Sequence, residues 1–287
     1  MPTFERGGLS FNYLDEGDSW GRPFVFQHGL GGDVSQPAGV FSPPSGGRLL
    51  SLDCRGHGGT RPLGPADNLS FSSFADDLAA LIDHVELQRA VVGGISMGAG
   101  VALNLALRYP EKVEGLVLSR PAWLDSPRPE NLKAYPVTAR LLREHGAKLG
   151  RELFEGTEEY AELERAAPGA GRSLASSQFG RPRAREYATV LESLVGDAPG
   201  RDLAQWREVR VPVLVLASWQ DPTHPHGYAE ILARELPLAR LEELTPKAVD
   251  EGRHAQDARA AIAGFLGRVF PSASAQEEAT SKEAAGR

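Results

Sequence analysis

Apolar positions along the first 120 residues fall into short runs, and polar, helix-patterned stretches separate them. Residues 9–15 and 24–27 read as strands, and 48–53 as a third, followed by the glycine-rich Arg55-Gly56-His57-Gly58-Gly59-Thr60. Phe74, Leu78, Leu81, Ile82 and Val85 recur at helical spacing. They predict a helix that Ser72 or Ser73 caps and that runs to about His84. Ala90–Ile95 is apolar almost throughout, as a strand covered on both faces should be. Met97–Arg108 begins with small residues and reads as a helix that Tyr109-Pro110 terminates. Val113–Ser119 is the next strand. Strands alternating with helices imply a parallel sheet with right-handed crossovers.

The rhythm stops at residues 121–209, which are charged, helical in composition and without a convincing core strand. This stretch predicts a helical cap inserted into a core formed by residues 1–120 and 210–270. Alternation resumes with strand 211–217, a helix over 228–235, strand 238–244 and a helix over 255–269. Residues 271–287 are small and polar and predict a disordered tail.

Charge and composition narrow the function classes. The 287 residues carry 31 Lys and Arg against 38 Asp and Glu, a net charge of -7. That balance argues against a nucleic-acid partner and gives no support for an anionic membrane. No apolar run approaches the roughly 18 residues of a membrane helix. The first ten residues have neither a basic region nor an apolar segment of the signal-peptide kind, and Cys54 is the single cysteine. Both point to a reducing, cytoplasmic setting. No Walker A pattern occurs, and no G-x-G-x-x-G follows the first strand, so a nucleotide cofactor is not expected. His224-Pro225-His226 pairs two metal-competent side chains without a third ligand in view. Neither cofactor nor metal is expected.

The strongest chemical signal is Gly94-Ile95-Ser96-Met97-Gly98, where the buried strand meets a helix. A serine on so sharp a turn projects its hydroxyl away from the sheet, and glycines two residues to either side let strand and helix approach. The helix start also leaves backbone N–H groups without partners. A second signal, His28-Gly29-Leu30-Gly31-Gly32, follows strand 24–27. It could aim the Leu30 N–H at the serine and, with the Met97 N–H, form an oxyanion hole.

With Asp53-Cys54-Arg55-Gly56-His57-Gly58, Asp221 after the strand 211–217, and the late His254, these motifs resemble an α/β-hydrolase with a cap domain. The likeness covers residues 4–270. It implies a mostly parallel sheet flanked by helices and a triad in the order Ser, acid, His. Ser96 would be the nucleophile, Asp221 the acid and His254, just before the last helix, the base. Asp125 is the alternative acid. One departure is visible: the family usually has Gly before this histidine, and here Arg253 precedes it. Asp53 and Arg55 are expected to organise their loop, and His28 to buttress its own. A dehalogenase or epoxide hydrolase of this family would carry Asp where Ser96 stands.

Trp123, Trp219 and Arg120 follow strand ends and are candidate pocket residues, Arg120 for an anionic substrate or for an ion pair with the cap. The expected activity is hydrolysis of a small-molecule carboxylic ester or related acyl bond through an acyl-enzyme. Acyl transfer, perhydrolysis, carbon–carbon bond hydrolysis and triad-retaining ligand sensing use the same parts and stay open.

Overall fold

A computed structural model describes residues 1–270, and the expected tail, 271–287, lies outside them. Eight strands form one sheet in the order β1-β2-β4-β3-β5-β6-β7-β8. β1 (Thr3–Arg6) and β2 (Leu9–Gly17) are an antiparallel hairpin. Its turn is Gly7-Gly8, both at positive φ (56° and 77°), a geometry glycine adopts without penalty. β2 pairs antiparallel with β4 (Gly47–Leu52). β3 (Arg22–Gln27), β5 (Ala90–Ile95), β6 (Val113–Ser119), β7 (Val213–Ala217) and β8 (Ala239–Glu243) continue the sheet in parallel from β4.

Helices cover both faces, which is why the central strands are apolar at successive positions. Val25, Leu50, Val92, Leu116 and Val215 face α2 (Phe71–His84) and α3 (Met97–Arg108) within one buried cluster. Phe26, Leu49, Val91, Val117 and Leu216 fall in a second cluster with Ile262 and Phe265. Those two belong to α10 (Glu251–Val269), which lies beside the short α1 (Ser35–Val40). α9 (His226–Glu235) packs on β7 and β8.

Between β6 and β7 the chain is helical: α4 (Ala134–Phe154), α5 (Glu158–Ala166), α6 (Ala170–Phe179), α7 (Ala184–Val195) and α8 (Leu203–Trp206). No strand interrupts them among the described residues. α4 bends at Gly146, whose φ is 75°. Phe154, Phe179, Tyr187 and Trp206 are buried within these helices. No helix among the described residues is long and apolar enough to cross a membrane.

Two boundaries differ from the sequence reading. Ser70, not Ser72 or Ser73, caps α2, its side chain accepting from the Ser73 N–H. α10 starts four residues before 255, because the Asp250 side chain accepts from the Arg253 N–H. Glu251 in its first turn also suits the helix dipole. His254 therefore lies inside the first turn of a helix, not in the loop before it.

Candidate active site

β3 pairs with β4 on one side and β5 on the other, so the order of connection reverses at β3. A crevice at the strands' C-terminal ends follows from that reversal. The loop after β3 and the turn after β5 meet there. Ser96, between β5 and α3, has φ 56° and ψ -110°, a strained conformation for a residue with a side chain. A Cβ on Gly94 would overlap the backbone of Gly98, and one on Gly98 would lie 2.5 Å from the Gln27 carbonyl oxygen. A side chain at either place would have to push strand and helix apart. Arg120 after β6 (φ 49°) and Gln220 after β7 (φ 59°) are also left-handed, so strain gathers at one end of three neighbouring strands.

The loop after β3 is pinned almost amide by amide. The Gly29 N–H donates to Gln36 Oε1 (2.7 Å) and the Gly31 N–H to His57 Nε2 (3.2 Å). The Gly32 N–H donates to the Gly29 carbonyl (2.9 Å). The Leu30 N–H is left without an acceptor among the described residues, beside Ser96 in the same cavity. Met97 opens α3, where a helix start leaves its N–H unpaired. Its side chain is buried. His28 Nε2 accepts from the Cys54 N–H (3.1 Å) and its Nδ1 meets the Gly29 carbonyl (2.9 Å), a buttressing geometry. Asp53 accepts from Asn12 Nδ2, the Val34 N–H and the Gly59 N–H. Arg55 forks onto the buried Asp77.

A cavity of about 470 Å³ contains Ser96, Leu30, Arg120, Tyr135, Asp221 and His224 in its wall. The inserted helices supply a further wall, Gln178 included, whose Nε2 donates to the Leu30 carbonyl at 3.4 Å. Asp221 Oδ1 lies 2.9 Å from His224 Nδ1. Its Oδ2 accepts from Arg120 Nε (2.8 Å) and Nη2 (2.6 Å). Burial alone would raise the Asp221 pKa, but His224 and Arg120 overcome it and hold the carboxyl well below the usual range. Burial pushes the His224 pKa down against the pull of Asp221, and Arg120 pushes the same way as burial. Burial and Arg120 thus favour the neutral ring of His224 over the imidazolium.

His254 makes no hydrogen bond to Asp221, although the charges of Asp221 and Arg120 both reach it. Its Nδ1 meets the Thr245 carbonyl at 2.8 Å, and burial lowers its pKa. The segment after β8 reaches the cavity through Lys247, Ala248 and Glu251 instead. Ser96 Oγ hydrogen-bonds neither histidine.

Neither tryptophan lines the cavity. Trp123 is buried edge-on against Phe71 at 5.3 Å, and Trp219 is 53% exposed and stacked on His226 at 3.9 Å. Arg120 does line it, and its ion pair is with Asp221, not with the inserted helices. Asp125 stands outside, accepting from the Ser126 hydroxyl at 3.3 Å. His224 and His226 diverge, the second facing Trp219 and Glu243. The sequence reading does not single out His224 as a cavity residue, and the structure places it in the wall beside Asp221. Its signal was present, three positions after Asp221 in the same loop, but a His-Pro-His string reads first as a metal pair.

A family model described as alpha/beta hydrolase fold matches residues 22–255. The 3-oxoadipate enol-lactonase 2 of Acinetobacter baylyi is 26% identical over 246 residues, covering 84% of this chain and 87% of that protein. The pimeloyl-(acyl-carrier protein) methyl ester esterase of Aromatoleum aromaticum is 32% identical over 209 residues, 69% of this chain and 78% of that one. Among solved structures, a thermophilic esterase from Thermogutta terrifontis superposes with a TM-score of 0.68 at 23% identity, covering 93% of this chain and 97% of that one. Sheet order, the strained serine turn and the span of the family match agree: the chain is a member of the α/β-hydrolase fold family.

Proposed function

We propose that the chain hydrolyses a small carboxylic ester or lactone through Ser96, with His224, held by Asp221, as the base. The observation that carries this reading is the Asp221–His224 pair in the wall of the cavity that holds Ser96. The names of the relatives, an enol-lactonase and a methyl ester esterase, favour the same bond types.

In the proposed reaction His224 Nε2 takes the Ser96 hydroxyl proton as Oγ attacks the substrate carbonyl. The Leu30 and Met97 N–H groups receive the charge that develops on the carbonyl oxygen. Collapse expels the alkoxide, which leaves with the proton from His224, and an acyl-Ser96 ester remains. Water then attacks that ester, gives a proton to His224 and releases the acid, and the proton returns to Ser96. In the tautomer that carries Nδ1–H, Asp221 accepts that hydrogen bond and stabilises the imidazolium that forms. The inserted helices act as a cap over residues 121–209 that selects what enters.

A second reading keeps His254 as base. The Thr245 carbonyl fixes its Nδ1–H, which leaves Nε2 bare. Single substitutions separate the two. Ser96→Ala should abolish ester turnover. His224→Gln should cost at least about a thousandfold in kcat, in line with removal of a triad member, and His254→Gln far less. The reverse order would transfer the role to His254. Full activity in Ser96→Ala would end the serine reading.

A further inference from the structure

We infer that Arg120 is the specificity residue of this cavity: it takes the carboxylate of an acyl substrate that bears one, and in doing so releases His224 to act on Ser96. The inference rests on the Ser96 reading above.

Two neighbours compete for one nitrogen of His224. His224 Nδ1 lies 2.9 Å from Asp221 Oδ1 and 3.0 Å from Arg120 Nη2. An imidazole nitrogen carries either a hydrogen or a lone pair. As donor to Asp221, Nδ1 leaves Nε2 bare and basic. As acceptor from Arg120, it forces the ring proton of a neutral histidine onto Nε2, where no further proton can be taken. The two neighbours of Nδ1 therefore favour opposite tautomers, and only the one that Asp221 supports can deprotonate a serine.

Arg120 also has donors to spare. Its Nε and one Nη2 N–H are committed to Asp221 Oδ2. The other Nη2 N–H is the one that reaches His224, and Nη1 has no hydrogen-bond partner among the described residues. That second N–H and Nη1 form the end-on edge of the guanidinium, the geometry that receives a carboxylate through two parallel bonds. A carboxylate on this edge competes for the same N–H that holds His224 in the unproductive tautomer. Lys247, the other cation in the wall, is already paired with Glu251 at 2.9 Å. The ligand class is thus an ester or lactone with a free carboxylate on its acyl part.

The test compares methyl half-esters of dicarboxylic acids, four to eight carbons long, with methyl esters of monocarboxylic acids of equal length. For at least one length the wild type should favour the half-ester by at least about tenfold in kcat/KM, with part of the gain in kcat because binding frees the base. Arg120→Met should bring that ratio close to one, and Arg120→Lys should restore part of it. A ratio near one at every length in the wild type, or a preference that survives in Arg120→Met, overturns the inference. If Arg120→Met fails to fold, free dicarboxylates decide: they should compete with neutral esters where monocarboxylates do not, and equal effects of the two overturn it. Fluorophosphonate labelling of Ser96 keeps the two readings apart. Labelling without carboxylate preference sinks the Arg120 inference alone, and absence of both labelling and turnover sinks the Ser96 reading with it.

Discussion

Gly98 shows how little freedom the serine turn has. A Cβ there would sit 2.5 Å from the Gln27 carbonyl oxygen, a backbone atom of the neighbouring strand that cannot swing aside. Gly98→Ala should lower Tm by several degrees and reduce fluorophosphonate labelling of Ser96 by at least about tenfold, since the strand and helix must separate to admit the methyl. Unchanged labelling would show that the turn relaxes without moving the nucleophile. This constraint is local, which is why Gly94, Ser96 and Gly98 were legible in the sequence. The partners of Asp221 were not. Arg120, His224 and Asp221 meet through two loops and a left-handed backbone at Arg120, and no periodicity encodes such a meeting.

Elements bounded by apolar runs are legible to the residue: β5, α3 and β6 begin and end where the pattern says. The pattern shows α10 late because its first turn is polar and its cap, Asp250, sits among other charges. His254 thereby falls in the first turn of a helix, with its Nδ1 at the Thr245 carbonyl, and not in a free loop. β1, a four-residue edge strand, was not legible at all. At this scale the inserted helices are tied to the loop after β3. Tyr187 of α7 donates to His57 Nε2 at 3.0 Å, and the same nitrogen accepts from the Gly31 N–H. Tyr187→Phe removes a buried hydrogen bond worth about 1 kcal/mol, so kcat for a small ester should fall about fivefold, with KM less affected. A change confined to KM would mean that this bond shapes the entrance and not the loop.

Buried histidines make the stability of the whole molecule depend on pH below neutrality. Burial depresses the pKa of His28, and that of His57 more strongly. Each must stay neutral in the fold, while the unfolded chain binds protons at about 6.5. The unfolded state therefore gains protons first as pH falls. The stability these residues contribute is complete above about pH 6.5 and is lost as pH drops below it. Tm should decline between pH 7 and pH 5, and His57→Gln should flatten that decline. A Tm independent of pH over this interval would show that both rings accept protons within the fold.

The inserted helices leave β6 and return on β7, and these two strands are parallel neighbours, Ser119 opposite Leu216. Parallel neighbours cannot be joined by a tight turn, because the chain must travel back the full length of the sheet, which takes a dozen residues or more. The segment that walls the cavity is therefore also the only route from one half of the sheet to the other. Evolution or an engineer can exchange it for another helical segment and change what the enzyme admits, with both anchor points already side by side. Neither can simply cut it out.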